Sequence, residues 1–593
     1  MFRATSVDSE IVQGSTQVST KPQPGYLLVP CLIVLVSLAV RLAAMIHWGT
    51  GAIESEGAEY ARIAENLRNG VGYVGIVTPG PELMFPPLFP ILIGAASFIT
   101  GSYEWAGRLV SLVLGSLLPL PAFGIASRLF NRRVGFVAAA LTILHPLLIN
   151  LSFTVLTEGP YATLLLFAVY VALRAMDRPS LRIWCFVGGV FAVAYLLRQE
   201  AVAPLLIAIF LMLVENKEKF YVRCTWAAAA ILTFLALAAP EIAYIYRVTG
   251  KLRLEGKSAI TLALGVRIVD REAMMASDNR SYDLKHEDAV RWASAGINSK
   301  LERVGVWLIP ENDVAREKIA FDDVSRVVTE AARRNIPLFV QNLSSRWLGA
   351  PFLSALALLG IARRPWRRPR ALGRCYFLLV PATAIASSLS VLWIFPRYYF
   401  VLIPFLLIWA ANGLVEIGIW TKASLSPFRW PWISPGACSI LISGLLGLTV
   451  ILYPISAIRS LYEFTEGSPA SRVVRDAGLW VKQQQKGPIT IMDRATPLAF
   501  HADAQFVYFP YCSGESALRF LDAAKVDYIV LRRGERFTSY YDDWLNKGIP
   551  DSRAQLVYTS SGQNGGQILV FRWHQPDEDI EHRNAPLQSG PLP

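Results

Sequence analysis

Glu54-Ser-Glu-Gly-Ala-Glu-Tyr-Ala-Arg-Ile-Ala-Glu-Asn-Leu67 follows directly on the first hydrophobic span of the chain. Three carboxylates, Glu54, Glu56 and Glu59, fall within six positions. Behind them Tyr60, Ile63, Ala64 and Leu67 stand at i, i+3, i+4 and i+7, the apolar stripe of an amphipathic helix. Arg62, Glu65 and Arg68 occupy the other face. The pattern predicts a helix lying on a membrane surface, acidic end at the lipid–water boundary. Negative charge suits a helix N-terminus whatever its role, because the macrodipole favours it there. Carboxylates beside a bilayer are also a frequent mark of function.

The 593 residues are 53% hydrophobic and only 17% charged, against roughly a quarter charged in soluble domains. Mean hydropathy is +0.38, and apolar runs long enough to cross a bilayer recur. This is a polytopic membrane protein of about 11 transmembrane helices. The formal charge of +12 is not a nucleic-acid signal, because the basic residues gather in short loops between spans, as the positive-inside rule describes. Of the six cysteines, Cys31, Cys185, Cys224, Cys375 and Cys438 lie in or beside apolar spans and Cys512 in a polar region. No CxxC occurs, so no disulfide framework or cysteine metal site is indicated.

The expected organisation has four parts. Residues 1–25, Ser/Thr-rich and without a signal-peptide layout, read as a disordered cytoplasmic tail. Residues 26–460 carry the spans, with outer loops at 49–105 and 251–342. Residues 461–575 read as a small α/β domain, with short strands at 488–492, 505–508, 527–531, 555–558 and 567–571. Residues 576–593 read as a second disordered tail. With the N-terminus inside, the basic loops at Arg128, Arg174, Glu215, Arg363 and Lys422 all fall inside, and the α/β domain falls outside. The same topology brings Glu54, Glu56, Glu59, Glu158, Arg198, Glu200, Arg247 and Arg397 to the outer side. Arg41, inside the first span, must snorkel or pair.

There is no Walker loop, no dinucleotide fingerprint and no HExxH. His145 stands in Leu-His-Pro with no second histidine or cysteine at ligand spacing, so it reads as a helix-end residue. What remains is a set of outer carboxylates and arginines. A carboxylate can deprotonate a nucleophile, and an arginine can grip a phosphate through planar, paired bonds. Together they suggest group transfer from a phosphate-bearing lipid.

Four stretches resemble the GT-C glycosyltransferases, in the branch of the protein O-mannosyltransferases and the bacterial aminoarabinose lipid A transferase. Glu56-Gly-Ala-Glu-Tyr60, with Ile63-Ala-Glu-Asn-Leu67 and Gly70-Val-Gly-Tyr73, resembles the family's first outer loop. Phe85-Pro-Pro-Leu-Phe-Pro90 resembles its Pro-Pro signature, Leu156-Thr-Glu158 its second acidic motif, and Arg397-Tyr-Tyr399, with Pro404 following, its late Arg-Tyr element. The resemblance implies an α-helical GT-C-like membrane fold with a C-terminal extracytoplasmic α/β domain. It implies transfer of a sugar from a polyprenyl-phosphate donor to a lipid, glycan or protein acceptor by a single inverting displacement, in a bacterial inner membrane. No cofactor is certain; a divalent metal ion is compatible with the acidic motifs.

On this resemblance Glu56 takes the place of the family's catalytic Asp. The extra methylene moves the carboxylate by about 1 Å, and errors of that size can cost on the order of a hundredfold in rate. Glu54 and Glu59 are the alternative bases and otherwise line the substrate. Glu158 would bind acceptor or metal, or orient the nucleophile. Arg198 and Arg397 would hold the donor phosphate, with Tyr398 beside them and Arg247 a further cation for the same anion. Tyr60 would pack at the substrate. A lipid or saccharide flippase would also carry charged residues in a helical bundle, but at the bilayer midplane and often with internal repeats. A non-catalytic scaffold is the other alternative, and Glu56 in place of Asp is its support.

Overall fold

A computed structural model describes residues 28–48, 52–78, 80–215, 218–343, 351–363, 370–390, 392, 400–427, 434–453, 469–484, 487–533, 537–561 and 567–575. Arg397, Tyr398 and both terminal tails lie outside the described residues.

The membrane part is helical. It comprises α1 (Leu28–Trp48), α2 (Ser55–Arg68), α3 (Leu88–Thr100), α4 (Tyr103–Leu117), α5 (Pro119–Leu129), α6 (Arg132–Leu144), α7 (Pro146–Asn150), α8 (Glu158–Asp177), α9 (Leu181–Tyr195), α10 (Val202–Val214) and α11 (Phe220–Thr249). After an extramembrane insert, α16 (Phe352–Ala362), α17 (Arg370–Leu389), α18 (Ile403–Leu425) and α19 (Pro435–Leu452) complete it. Among the described residues seven helical segments are long and apolar enough to cross a membrane, α4 and α5 forming one of them. The short polar loops restart the chain by side-chain capping. Ser102, Asn131, Ser180 and Ser434 each accept a bond from a backbone N–H of the helix they precede, which satisfies donors that have no partner inside the helix.

Packing in the bundle depends on small residues, since lipid supplies no hydrophobic drive between helices. α16 and α18 cross where Gly360 meets the Trp409 carbonyl and Gly413 meets the Leu356 carbonyl. A methyl group would lie 2.0 Å and 2.2 Å from those oxygens, so neither site admits a side chain. Arg41 pairs rather than snorkels: it is fully buried and donates to Ser152 Oγ (2.9 Å), Ser37 Oγ (2.6 Å) and the Thr142 carbonyl (3.2 Å).

The 251–342 segment, expected as a loop, is largely helical. α12 (Lys257–Met274), α13 (Tyr282–Ala295), α14 (Glu311–Arg316) and α15 (Phe321–Leu343) make it up. α12 buries Ile260, Ala263, Leu264 and Ile268, a helical period interleaved with enough polar residues to pass for a loop.

The C-terminal module begins with α20 (Pro469–Gln484). It holds β1 (Thr490–Asp493), β2 (Gln505–Tyr508), β3 (Tyr528–Arg532), β4 (Ala554–Ser561) and β5 (Gln567–Trp573) in the order β2-β1-β3-β5-β4. β1 runs parallel to β2 and β3, with Ile491 opposite Phe506 and Met492 opposite Ile529. β5 is antiparallel to β3 and β4. Both faces are covered, and each cover includes residues from segments between the membrane helices. Ile76 joins one core with Val474, Ile491 and Val530; Ala295, Ile297 and Leu308 join the other with Met492, Ile529 and Trp544. The module is therefore packed against both of those segments.

That docking changes the setting of α2. Tyr60, Ile63 and Ala64 are buried as the apolar stripe predicts, but Leu67 is 38% exposed and Glu59 is fully buried. α2 is enclosed between the bundle on one side and the C-terminal module on the other, not laid on a membrane surface. The sequence pattern identifies the face that meets the bundle; the polar residues are covered partly by the following loop, as at Glu59, and partly by the C-terminal module, as where Arg62 meets Asp503.

Candidate active site

Glu54 is the N-cap of α2, with extended backbone (φ −75°, ψ 166°), and Glu56 lies in the first turn, half-buried. One turn on, the buried Tyr60 ring meets Phe85 and Phe89 edge-on, with centroids 4.8 and 5.0 Å away. That contact gives a reason for Phe85-Pro-Pro-Leu-Phe-Pro90. The prolines turn the outer loop into α3 and present two rings to α2. Leu88 N then donates to the Leu196 carbonyl at 2.9 Å, tying the start of α3 to the turn that carries Arg198.

The Tyr60 hydroxyl lies 3.3 Å from Thr157 Oγ1. Thr157 directly precedes Glu158, which opens α8 and is buried. Arg198, in the α9–α10 turn, pairs with Glu158 at 3.2 Å and Glu200 at 3.1 Å, its guanidinium 5.7 Å from the Tyr161 ring centre. Burial works against the charge on Arg198, and Glu200 and Glu158 more than offset it. Burial also raises the Tyr60 hydroxyl's pKa, and the neighbouring Glu56 and Glu158 raise it further, against Thr157 and Arg198. Tyr60 therefore stays neutral. Glu56, Tyr60, Glu158 and Arg198, from three separate segments, form one cluster at one end of the bundle.

Two other expected residues, Arg247 and Glu59, are placed differently. Arg247 is exposed near the end of α11. Glu59 points away into a second buried cluster, where its carboxyl accepts from Ile76 N (2.9 Å) and Val77 N (3.0 Å). Glu82 accepts from Met84 N at 2.7 Å and Phe85 N at 3.2 Å. Glu311, from α14, accepts from Leu83 N at 2.5 Å and Met84 N at 3.1 Å. Glu82 hydrogen-bonds to both other carboxyls, and a bond between two carboxyls needs a proton on one of them. All three pKa values are raised. Burial is the largest cause in each; the charge of Glu82 comes next for Glu59 and Glu311. Glu82 and Glu311 are not recognisable in the sequence as partners of Glu59. Among the described residues no group of three or more His, Cys, Asp or Glu is arranged to hold a metal ion.

Residues 85–244 match the family model described as dolichyl-phosphate-mannose-protein mannosyltransferase. The matched stretch holds the Pro-Pro motif, Glu158 and Arg198, and begins after α2. No curated protein matches the chain. Among solved structures, the chain is similar to the archaeal oligosaccharyltransferase AglB from Archaeoglobus fulgidus in complex with an inhibitory peptide and a dolichol-phosphate. The TM-score is 0.56 at 12% identity, covering 93% of this chain and 75% of that one. The chain therefore shares the fold of that oligosaccharyltransferase. The Archaeoglobus fulgidus oligosaccharyltransferase in complex with zinc and sulfate gives a TM-score of 0.55 at 14% identity, over 92% of this chain and 72% of that one. ArnT from Cupriavidus metallidurans bound to undecaprenyl phosphate gives 0.44 at 13% identity, over 92% and 98%. The cluster of Glu56, Tyr60, Glu158 and Arg198 is set in a bundle with several helices long and apolar enough to cross a membrane, in the fold of those oligosaccharyltransferases.

Proposed function

We propose that the chain transfers a sugar from a polyprenyl-phosphate carrier to an acceptor, a lipid, glycan or protein, outside the cytoplasm. The observation that carries this reading is the convergence of Glu56, Tyr60 and the Glu158–Arg198 pair at one end of the bundle. Glu56 takes the proton from the acceptor's nucleophilic atom. The bond from that atom to the sugar's anomeric carbon forms as the carbon–oxygen bond to the lipid phosphate breaks, on the opposite face and with inversion. The phosphate leaves with the electron pair. Glu158, fixed by Arg198, orients the acceptor side. Arg198 has guanidinium donors beyond its two carboxylate contacts, and with Arg397 it receives the phosphate charge. Preorganised positive charge at a leaving group is usually the largest electrostatic contribution to such a step.

The basic loops support an orientation with the N-terminus in the cytoplasm and the α/β module outside. Resemblance to bacterial members supports an inner-membrane location. We take residues 26–460 as the catalytic membrane domain and 461–575 as the extracytoplasmic domain.

The test is transfer from a panel of radiolabelled polyprenyl-phosphate sugars in membranes holding the wild type or Glu56→Gln. Transfer that collapses in the variant supports the reading and identifies the donor. Equal transfer by both removes Glu56 as the base. No transfer by either, with folded protein and candidate acceptors present, turns the reading toward a scaffold or a flippase.

A further inference from the structure

The C-terminal module meets the first turn of α2 where Thr496 lies against Ser55. β1 ends at Asp493, and the chain turns through Arg494 and Ala495 to Thr496. That turn is braced from below. Asp493 is fully buried and ion-paired with Arg532 at the end of β3, and Arg532 also donates to the Ala495 carbonyl at 3.5 Å. Thr496 is fully buried. Its hydroxyl donates to the carbonyl of Ser55 at 3.0 Å, a partner that a buried hydroxyl needs. The Ser55 carbonyl belongs to the peptide unit whose nitrogen is that of Glu56. Seven residues further along both segments, Arg62 of α2 donates to Asp503 at 2.8 Å. The 496–503 segment therefore runs beside the first two turns of α2, and Ile76 and Val77 of the following loop pack into the same side of the module.

We infer that Thr496 is a positioning residue for Glu56: the extramembrane module completes the active site by fixing the peptide that carries the base. This rests on the reading of Glu56 as the base. Thr496 touches no reacting atom. It fixes the backbone from which a side chain one methylene longer than aspartate must reach the nucleophile, and small misplacements at that point lower the rate of the chemical step.

The experiment compares wild type, Thr496→Val and Thr496→Ser in full-length protein in membranes, with the donor found by the panel above. Valine keeps the volume and removes the donor; serine restores the donor. The expected result is a kcat lower by on the order of tenfold in Thr496→Val with KM unchanged, and recovery in Thr496→Ser. In parallel, hydrogen exchange of the purified full-length protein, without substrate, should speed up at the amides of residues 56–60 in Thr496→Val alone, at an unchanged melting temperature. Wild-type kcat in Thr496→Val overturns the inference, as does a raised KM with kcat unchanged. If the wild type transfers no sugar, the reaction reading fails by itself, and unchanged exchange at residues 56–60 overturns the positioning role independently.

Discussion

Two clusters at one end of the bundle bury carboxyl groups, and they do so in opposite ways. At the candidate site, Glu158 and Glu200 flank Arg198, so burial is balanced by opposite charge. Beneath the outer loop, Glu59, Glu82 and Glu311 face one another and bond to backbone N–H groups of residues 76–85, so burial is balanced by shared protons. The first arrangement sets a cation between two carboxylates and can act on a charged substrate. The second holds a loop to α2 and to α14 and keeps its negative charge low. Substitution should separate the two.

The largest effect is expected from Arg198→Ala. It removes the guanidinium that pairs with Glu158, which is 1% exposed. Removing one member of a buried pair typically destabilises by about 3–5 kcal/mol. Transfer should fall by on the order of a hundredfold or more, read in the same membrane assay. Arg198→Lys keeps the charge but loses the planar fork, and should recover stability more than rate. Equal recovery of both would show that Arg198 serves only to neutralise.

Next is Gly75→Ala, which breaks the second cluster by volume instead of charge. A methyl group on Gly75 would lie 1.5 Å from Oε1 of Glu59 and 2.9 Å from Oε2 of Glu82. Overpacking of this kind typically costs about 1–3 kcal/mol, and here it displaces the carboxyl that holds Ile76 and Val77. The check is a lower melting temperature together with faster protease cleavage of the outer loop.

The two clusters should also respond differently to pH. The raised pKa values of Glu59, Glu82 and Glu311 mean that the folded state holds protons which the unfolded chain has lost. The stability from their hydrogen bonds is therefore full in acid, below the ordinary glutamate value of 4.5, and is lost as pH rises through the raised values. Glu82→Gln, neutral and still able to donate, should flatten this alkaline loss of melting temperature. Glu82→Ala should lower stability at every pH. A wild-type melting temperature that rises with pH over the same range would show that the carboxyls are ionised and held by something other than protons.

Much of this was legible in the sequence, for a physical reason. Period-2 and period-3.6 patterns are local, so the strands at 505–508 and 567–573 and the bundle helices follow from their own residues. The Pro-Pro motif and Tyr60 were visible as motifs, although only the fold puts the Phe85 and Phe89 rings against Tyr60. Glu59 was the residue least open to such reading. Its spacing from Glu56 is that of a common helix face, yet its partners Glu82 and Glu311 come from the outer loop and from α14. Nothing in a charge pattern along the chain distinguishes a carboxylate that faces substrate from one that shares a proton with a distant glutamate. Thr496 is hidden for the same reason: its partner, the Ser55 carbonyl, is a backbone group, and backbone groups leave no trace in sequence.

The smallest effect sharpens the comparison at the edge of both clusters. Arg62 meets Asp503 at 2.8 Å and Glu65 at 3.2 Å, with Asp503 51% exposed. A pair this open to solvent is worth at most about 1 kcal/mol and is screened by salt. Asp503→Asn should therefore change the melting temperature little, and the difference from wild type should shrink further as ionic strength rises. The same salt should leave the Arg198→Ala defect unchanged, because that pair is buried. If Asp503→Asn instead slows transfer as much as Thr496→Val does, then the charge on Asp503, and not the Thr496 hydroxyl alone, sets the position of α2 against the module.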